Sequence, residues 1–172
     1  SQDLQKLEGF VHRTFNFSDL LFFMASLQNI YRYHGGLEQA FTGANPATAE
    51  TALLNFMKVF FETPHLERSR KHVSNPQKNS SCKRLNMYLR WMVRQDDKGV
   101  DFGLWENMKP SALSCPLDVH SGNVARKLGL LKRKVNDWKA VQELDDALRK
   151  MDPHDPVKYD FALFGLGVFE KF

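Results

Sequence analysis

Two stretches of the chain carry side chains that could do covalent chemistry together. One is Cys82-Lys83-Arg84-Leu85-Asn86-Met87-Tyr88-Leu89-Arg90-Trp91, a helix-forming run with a lysine at its start. The other is Pro116-Leu117-Asp118-Val119-His120-Ser121-Gly122-Asn123-Val124-Ala125-Arg126, in which Asp118 follows Lys83 by 35 positions and stands at the mouth of a second helical run. A lysine amine is a nucleophile toward an electrophilic sugar carbon. A carboxylate kept ionised by the amides of its own helix can steady the positive charge that develops there. Each residue also has a purely structural reading, Asp118 as a helix N-cap and Lys83 as a solvated surface lysine.

The elements that must position this pair are read from periodicity, which is helical almost throughout. After Ser18, read as an N-cap, Leu20, Phe23, Met24, Leu27, Ile30 and Tyr31 recur at helical spacing until Gly35-Gly36. Thr48 opens a second helix bearing Leu53, Phe56, Met57, Phe60 and Phe61, and Pro64 ends it. Its phenylalanines suit packing better than base stacking. A polar connection from His72 to Ser81 follows, with Ser80-Ser81 expected to cap the helix of Lys83. On that helix Leu85, Tyr88, Leu89 and Met92 face the core, while Lys83, Met87, Arg90 and Arg94 form a basic face. From Gln95 to Cys115 the pattern lapses into an irregular excursion. Asp118 opens a helix with apolar Val124, Ala125 and Leu128. Trp138, Val141, Leu144 and Leu148 mark another, with Asp145 and Asp146 on its wetter side. Asp152-Pro153-His154-Asp155-Pro156 is a turn, and Val157 to Phe169 reads as an apolar terminal helix. No segment alternates with the period of a strand.

The expected fold class is therefore all-α, one domain spanning residues 1–172. No apolar run approaches the length that crosses a bilayer, and the N-terminus carries no signal core, which points to a cytoplasmic protein with no membrane association. Cys82 and Cys115 are too few for a disulfide framework, an iron–sulfur cluster or a four-cysteine zinc site, so neither metal nor cofactor is expected. A net charge of +4 and a pI near 9.1 favour polyanionic partners. The basic residues gather in two clusters that flank the pair: Arg68, Arg70, Lys71, Lys78, Lys83 and Arg84, then Arg126, Lys127, Lys132, Arg133 and Lys134.

These motifs resemble the helix-hairpin-helix DNA glycosylase superfamily, which includes endonuclease III, the adenine glycosylases and the 8-oxoguanine glycosylases. Lys83 to Arg90 is similar to the Lys-x-x-x-x-aromatic-Leu-Arg run of the archaeal-type 8-oxoguanine enzymes. Asp118-Val119-His120 resembles the Val-Asp-Thr-His element of the superfamily, and Gly122-Asn123-Val124 is similar to the adenine glycosylases. Asp160-Phe161-Ala162-Leu163-Phe164-Gly165-Leu166-Gly167 looks like the superfamily's terminal helix. The whole chain also resembles an uncharacterised bacterial family placed beside these enzymes, sharing Cys-Lys-Arg-Leu-Asn-Met and Asp-Pro-Val-Lys-Tyr-Asp-Phe-Ala-Leu-Phe. The glycine hairpin that precedes the superfamily's lysine is replaced here by Asn79-Ser80-Ser81-Cys82. The chain starts at Ser1, which is read as a form short of the superfamily's N-terminal helices.

The resemblance implies a helical bundle of glycosylase type and a base-excision glycosylase/AP lyase acting on oxidised purine such as 8-oxoguanine in duplex DNA. Lys83 would attack C1′ of a flipped nucleotide as a free amine, and Asp118 would stabilise the oxocarbenium-like state. His120, Asn123, Arg84, Arg90, Arg126 and Trp105 become candidates for substrate or DNA contact. Trp91, Phe102 and Trp138 are candidates, with Trp105, for a stacking wall. No protein partner is implied. Two other classes stay open: a nucleic-acid-binding module that keeps the scaffold without the chemistry, and a helical protein-interaction domain.

Overall fold

The computed structural model describes residues 7–43, 46–170 and 172. Ser1, on which the expectation of missing upstream helices rests, lies outside the described residues. The chain opens with a small antiparallel hairpin, β1 (Val11–His12) and β2 (Phe15–Asn16), paired Val11 to Asn16 and His12 to Phe15. Strands of two residues are too short to display an alternating pattern, which is why the sequence does not announce them. Seven α-helices follow among the described residues: α1 (Phe17–Tyr33), α2 (Leu37–Thr42), α3 (Ala49–Phe60), α4 (Lys83–Val93), α5 (Val119–Lys127), α6 (Trp138–Met151) and α7 (Asp160–Val168). Short 3₁₀ turns at Glu67–His72, Pro76–Lys78, Pro110–Ala112 and Pro156–Tyr159 join them. The fold is mostly helical, as the periodicity predicts.

One apolar core runs through the helices. Phe22 and Ile30 of α1, Leu53, Phe56 and Phe60 of α3, Leu89 and Val93 of α4, Val124 of α5, Leu144 and Leu148 of α6 and Leu163 of α7 are all buried in it. Phe41 of α2 stacks on Phe56 with ring centroids 4.3 Å apart, and Phe22 meets Phe60 edge-on at 5.3 Å. These are favourable aromatic geometries, and they make the phenylalanines of α3 packing residues. The close approach of α5 and α7 depends on Gly167: a Cβ there would stand 3.0 Å from the His120 backbone oxygen. That is too tight for a side chain without moving one helix.

Several local expectations are corrected. The cap of α1 is Asn16, not Ser18, because Asn16 and Asp19 form a reciprocal capping box. The buried face of α1 is Asp19, Phe22, Ser26 and Ile30, while Met24, Leu27 and Tyr31 face solvent. An apolar stripe alone misplaces this face because Asp19 is drawn inside by polar partners: Ser69 Oγ at 2.6 Å, Arg68 Nη1 at 2.9 Å and His72 Nε2 at 3.2 Å. Burial pushes its carboxyl up, but the Ser69 hydroxyl, the Asn16 amide and the nearby Arg68 guanidinium outweigh it and hold the group below the ordinary Asp value. Asp145 is likewise buried in α6, not on a wet side, because its Oδ1 accepts the Cys115 amide at 2.8 Å.

Candidate active site at the starts of two helices

The segment before α4 decides where Lys83 points. Asn79 and Cys82 both hold left-handed backbone, at φ 59° and φ 50°, a conformation that costs non-glycine residues energy and persists only where surroundings enforce it. The enforcing contacts are visible. Asn79 donates from Nδ2 to Asp137 Oδ2 at 2.9 Å, its carbonyl accepts the Trp138 amide at 3.3 Å, and Ser80 forms a β-bridge with Asp137. Asp137 caps α6 through the Ala140 amide at 3.0 Å and is clasped by Arg133, which holds its carboxyl far below the usual range. Below the turn, buried Asn86 donates to the Ser81 carbonyl at 3.1 Å.

Ser80-Ser81 do not cap α4 as expected. Cys82 occupies the N-cap position and supplies no side-chain cap. Ser80 Oγ instead accepts the Cys82 amide at 3.3 Å, and the Cys82 thiol donates to the Ser80 carbonyl at 3.4 Å. Burial pushes that thiol up to about 11, so it is a structural plug and not a nucleophile. The consequence is that Lys83 is the first residue of α4 and leaves the helix on its exposed side.

Asp118 is the N-cap of α5 in a capping box with Ser121. Its Oδ1 accepts the Ser121 amide at 2.9 Å and the Ser121 hydroxyl at 3.1 Å, while Ser121 Oγ accepts the Asp118 amide at 3.0 Å. Its other oxygen, Oδ2, accepts Lys83 Nζ at 3.0 Å. The two side chains picked out 35 positions apart in sequence therefore touch. Burial raises the Asp118 carboxyl, but the Ser121 amide and the Lys83 ammonium outweigh it, so the group titrates below the ordinary Asp value. Asp118 is mostly covered, with 10 % of its side chain exposed, whereas Lys83 keeps 45 % exposed. The carboxylate is fixed and the amine faces water.

A third layer steadies this mouth. Asn136 donates from Nδ2 to the Asp118 carbonyl at 2.8 Å, and Arg126 donates from Nη2 to Asn136 Oδ1 at 2.6 Å and from Nε to the Arg133 carbonyl at 2.8 Å. Gly122 lies under them: a Cβ there would stand 2.9 Å from Asn136 Oδ1 and 3.0 Å from Arg126 Nη1. Sequence reasoning misses Asn136, Asp137, Ser121 and Asn86. The signal that could have found the first two is an Asn-Asp pair directly before Trp138, which is a strong helix-start pattern.

The other sequence candidates scatter. Arg84 and Asn123 are exposed, on α4 and α5. His120 is exposed on α5 but turns its ring to Phe164, centroids 6.0 Å apart. Among the described residues the polar side-chain partners of the Asp118 carboxylate are Ser121 and Lys83, not His120. Arg126 serves the Asn136 buttress. Several assignments are corrected. Trp105 is buried against Phe41 and Tyr88, because its indole fills the core, so it is no stacking wall. Arg90 is buried, its guanidinium bound by Asp101 and Asp160 and covered by the Phe161 ring at 4.1 Å, so it offers nothing to a phosphate. Arg94 is drawn into the same network, bonding Asp101 at 2.6 Å and Asp155 at 2.9 Å, and the expected basic face of α4 is thereby dissolved. Trp138 is buried, while Trp91 and Phe102 are partly exposed. Among the described residues no group of three or more His, Cys, Asp or Glu side chains could hold a metal ion, and no helix is long and apolar enough to cross a membrane.

The arrangement brings together a nucleophile precursor and a pre-organised anion on an open surface. To attack carbon the Lys83 nitrogen must first give up a proton to water or to the substrate, because Asp118, held below the ordinary Asp value, is a poor base and serves as the fixed anion. The model of one family, described as "Protein of unknown function (DUF2400)", matches residues 1–169. No curated protein and no solved structure matches the chain.

Proposed function

The chain belongs to the DUF2400 family of proteins of unknown function, and from the site it carries we propose that it is a DNA glycosylase with lyase activity on damaged purine nucleotides, built on a helical scaffold of glycosylase type. The observation that carries this reading is the 3.0 Å contact between the exposed Lys83 amine and the anchored Asp118 carboxylate. The Lys83 nitrogen bonds to C1′ as the bond from C1′ to the base breaks, the electron pair leaving with the base, which takes up a proton. Asp118 sits beside the reacting carbon and opposes the positive charge that builds on the sugar. The C1′–O4′ bond then breaks with its electron pair going to O4′, which takes up the proton lost from the Lys83 nitrogen, so that an imine joins C1′ to Lys83; turning the nucleotide out of the duplex costs about a few kcal/mol, offset by contacts to the flipped nucleotide.

Borohydride trapping tests this directly. With duplexes carrying 8-oxoguanine or an abasic site, the wild-type protein forms a covalent adduct, Lys83→Gln forms none, and Asp118→Asn forms it far more slowly. Absence of any adduct or base release across a panel of oxidised, alkylated and abasic lesions overturns the proposal. One observation favours a second reading, a non-catalytic nucleic-acid-binding module: Asp118 Oδ1 is fully used as a helix cap, so the pair also works as a clip between α4 and α5. That reading expects salt-dependent DNA binding with no adduct.

A further inference from the structure

The first basic cluster has a definite place in the fold. The 3₁₀ turn Glu67–His72 and the segment that follows it, as far as Ser80, form one wall of an open groove of about 450 Å³, and Met57 and Phe61 of the α3 region contribute to the other. Arg70, Lys71 and Lys78 line it and are exposed, as is Arg68, and Ser74 and Ser80 add hydroxyls. Glu67 is the single acidic residue of the lining and pairs with Arg70 at 3.2 Å. Arg70 also lies over the Phe61 ring at 4.6 Å, which holds its guanidinium at the groove. The floor of Met57, Phe61 and Val73 is apolar.

Folding alone does not account for this lining. Arg68 is committed to the fold, pinned to Asp19 and to the Thr14 carbonyl at 2.9 Å. Lys71 and Lys78, by contrast, stand exposed on the groove wall. Clustering like charges on one wall is unfavourable unless an anion neutralises them. The groove lining ends at Ser80, which accepts the Cys82 amide and stands three positions before Lys83 along the chain.

We propose that this groove carries the sugar–phosphate backbone of a DNA strand, with Arg70, Lys71 and Lys78 on successive phosphates and the apolar floor against the sugars. The inference extends the reading of Lys83 and Asp118 by assigning the track along which the strand reaches them, but its test does not depend on catalysis. Cations with hydroxyl donors above an apolar floor match the alternation of charged phosphate and less polar sugar along a nucleic-acid strand. Arg68 and Asp19 hold the wall in place without taking part.

Binding of a fluorescent duplex containing a tetrahydrofuran abasic analogue, titrated from 50 to 300 mM salt, tests the groove on the full chain. Removing one cation that neutralises a phosphate flattens the plot of log affinity against log salt by about 0.9. The triple variant Arg70→Ala/Lys71→Ala/Lys78→Ala is expected to flatten it by between about 2 and 3 and to weaken binding at least about tenfold at the lowest salt, about equally for all sequences. Lys139→Ala/Lys150→Ala, which removes charge outside the groove, leaves the slope within about 0.5 of wild type, and circular dichroism confirms that both variants fold. The slope is read from binding alone, so a failure of borohydride trapping, which overturns the chemistry of Lys83, leaves the test of the groove standing. A triple variant with an unchanged slope overturns the proposal, as does polyglutamate competing as well as DNA at equal charge.

Discussion

Helix α4 carries two ion-pair assemblies built from the same residue types, and they do opposite things. At its start, Lys83 meets Asp118 in a single contact with the amine half exposed. Two to three turns further on, Arg90 and Arg94 are enclosed with Asp101, Asp155 and Asp160, and the Arg90 side chain is 2 % exposed. The buried assembly joins α4 to α7 and to the excursion between Gln95 and Cys115. It contains more carboxylates than guanidinium groups, and burial pushes Asp160 up to about 6 despite the Arg90 beside it. Groups so enclosed are committed to the fold, because separating any one leaves a charge in low dielectric. The exposed pair is not so committed. Water screens it, its contribution to stability is small, and the amine is free to be used on something else.

Truncating one cation at each end of the helix puts this contrast under the greatest strain. Arg90→Ala should cost about 3–5 kcal/mol in urea unfolding, enough to threaten folding altogether, since it strands Asp101 and Asp160 without their partner. Removal of the cap is next in size: Asp118→Ala should cost about 1 kcal/mol, while Asp118→Asn, which still caps, should change stability by only a few tenths and yet slow adduct formation. Lys83→Gln should then cost less than about 1 kcal/mol while abolishing trapping, the pattern of a residue kept for chemistry. An Arg90 variant as stable as the Lys83 variant would erase the distinction.

The pH dependence probes buried carboxyls against anchored ones. Asp145 and Asp160 both rise to about 6 on burial, above their unfolded values near 3.8. The folded protein therefore binds more protons than the unfolded chain between about pH 4 and 6, so stability increases as pH falls from about 7 toward 5. Asp118 and Asp19 are lowered, so their contribution is present above the unfolded value and is lost as pH falls below about 4. Urea midpoints at about pH 7, 5.5 and 3.5 should thus pass through a maximum. Asp145→Asn, which still accepts the Cys115 amide, should reduce the rise on the acid side of neutrality; a midpoint that falls steadily from neutral pH would show both carboxyls to be ionised throughout.

Much of the helical layout was legible because it rests on local rules. Thr48 and Asp118 are caps in the structure as their side chains suggest, and Trp138, Val141, Leu144 and Leu148 are buried together on α6. The pair of candidate residues was legible as types at helix starts. What local rules could not supply was the fate of charged groups whose partners lie far along the chain. Arg90 looks like a surface residue until Asp160, 70 positions away, closes on it, and nothing local marks Asp19 for burial until Ser69, 50 positions away, bonds it.

Periodicity and capping depend on neighbours within a few residues, so the order of amino acids alone was enough to establish a mostly helical chain, a basic balance of charge, and a lysine and an aspartate each placed at the head of a helix. Folding in three dimensions was needed to bring these two together, to seal the downstream arginines away from any ligand, and to line one groove with the cations from Arg68 to Lys78. Those outcomes follow from burial and from contacts between distant segments, whose energies outweigh local preference once the core closes.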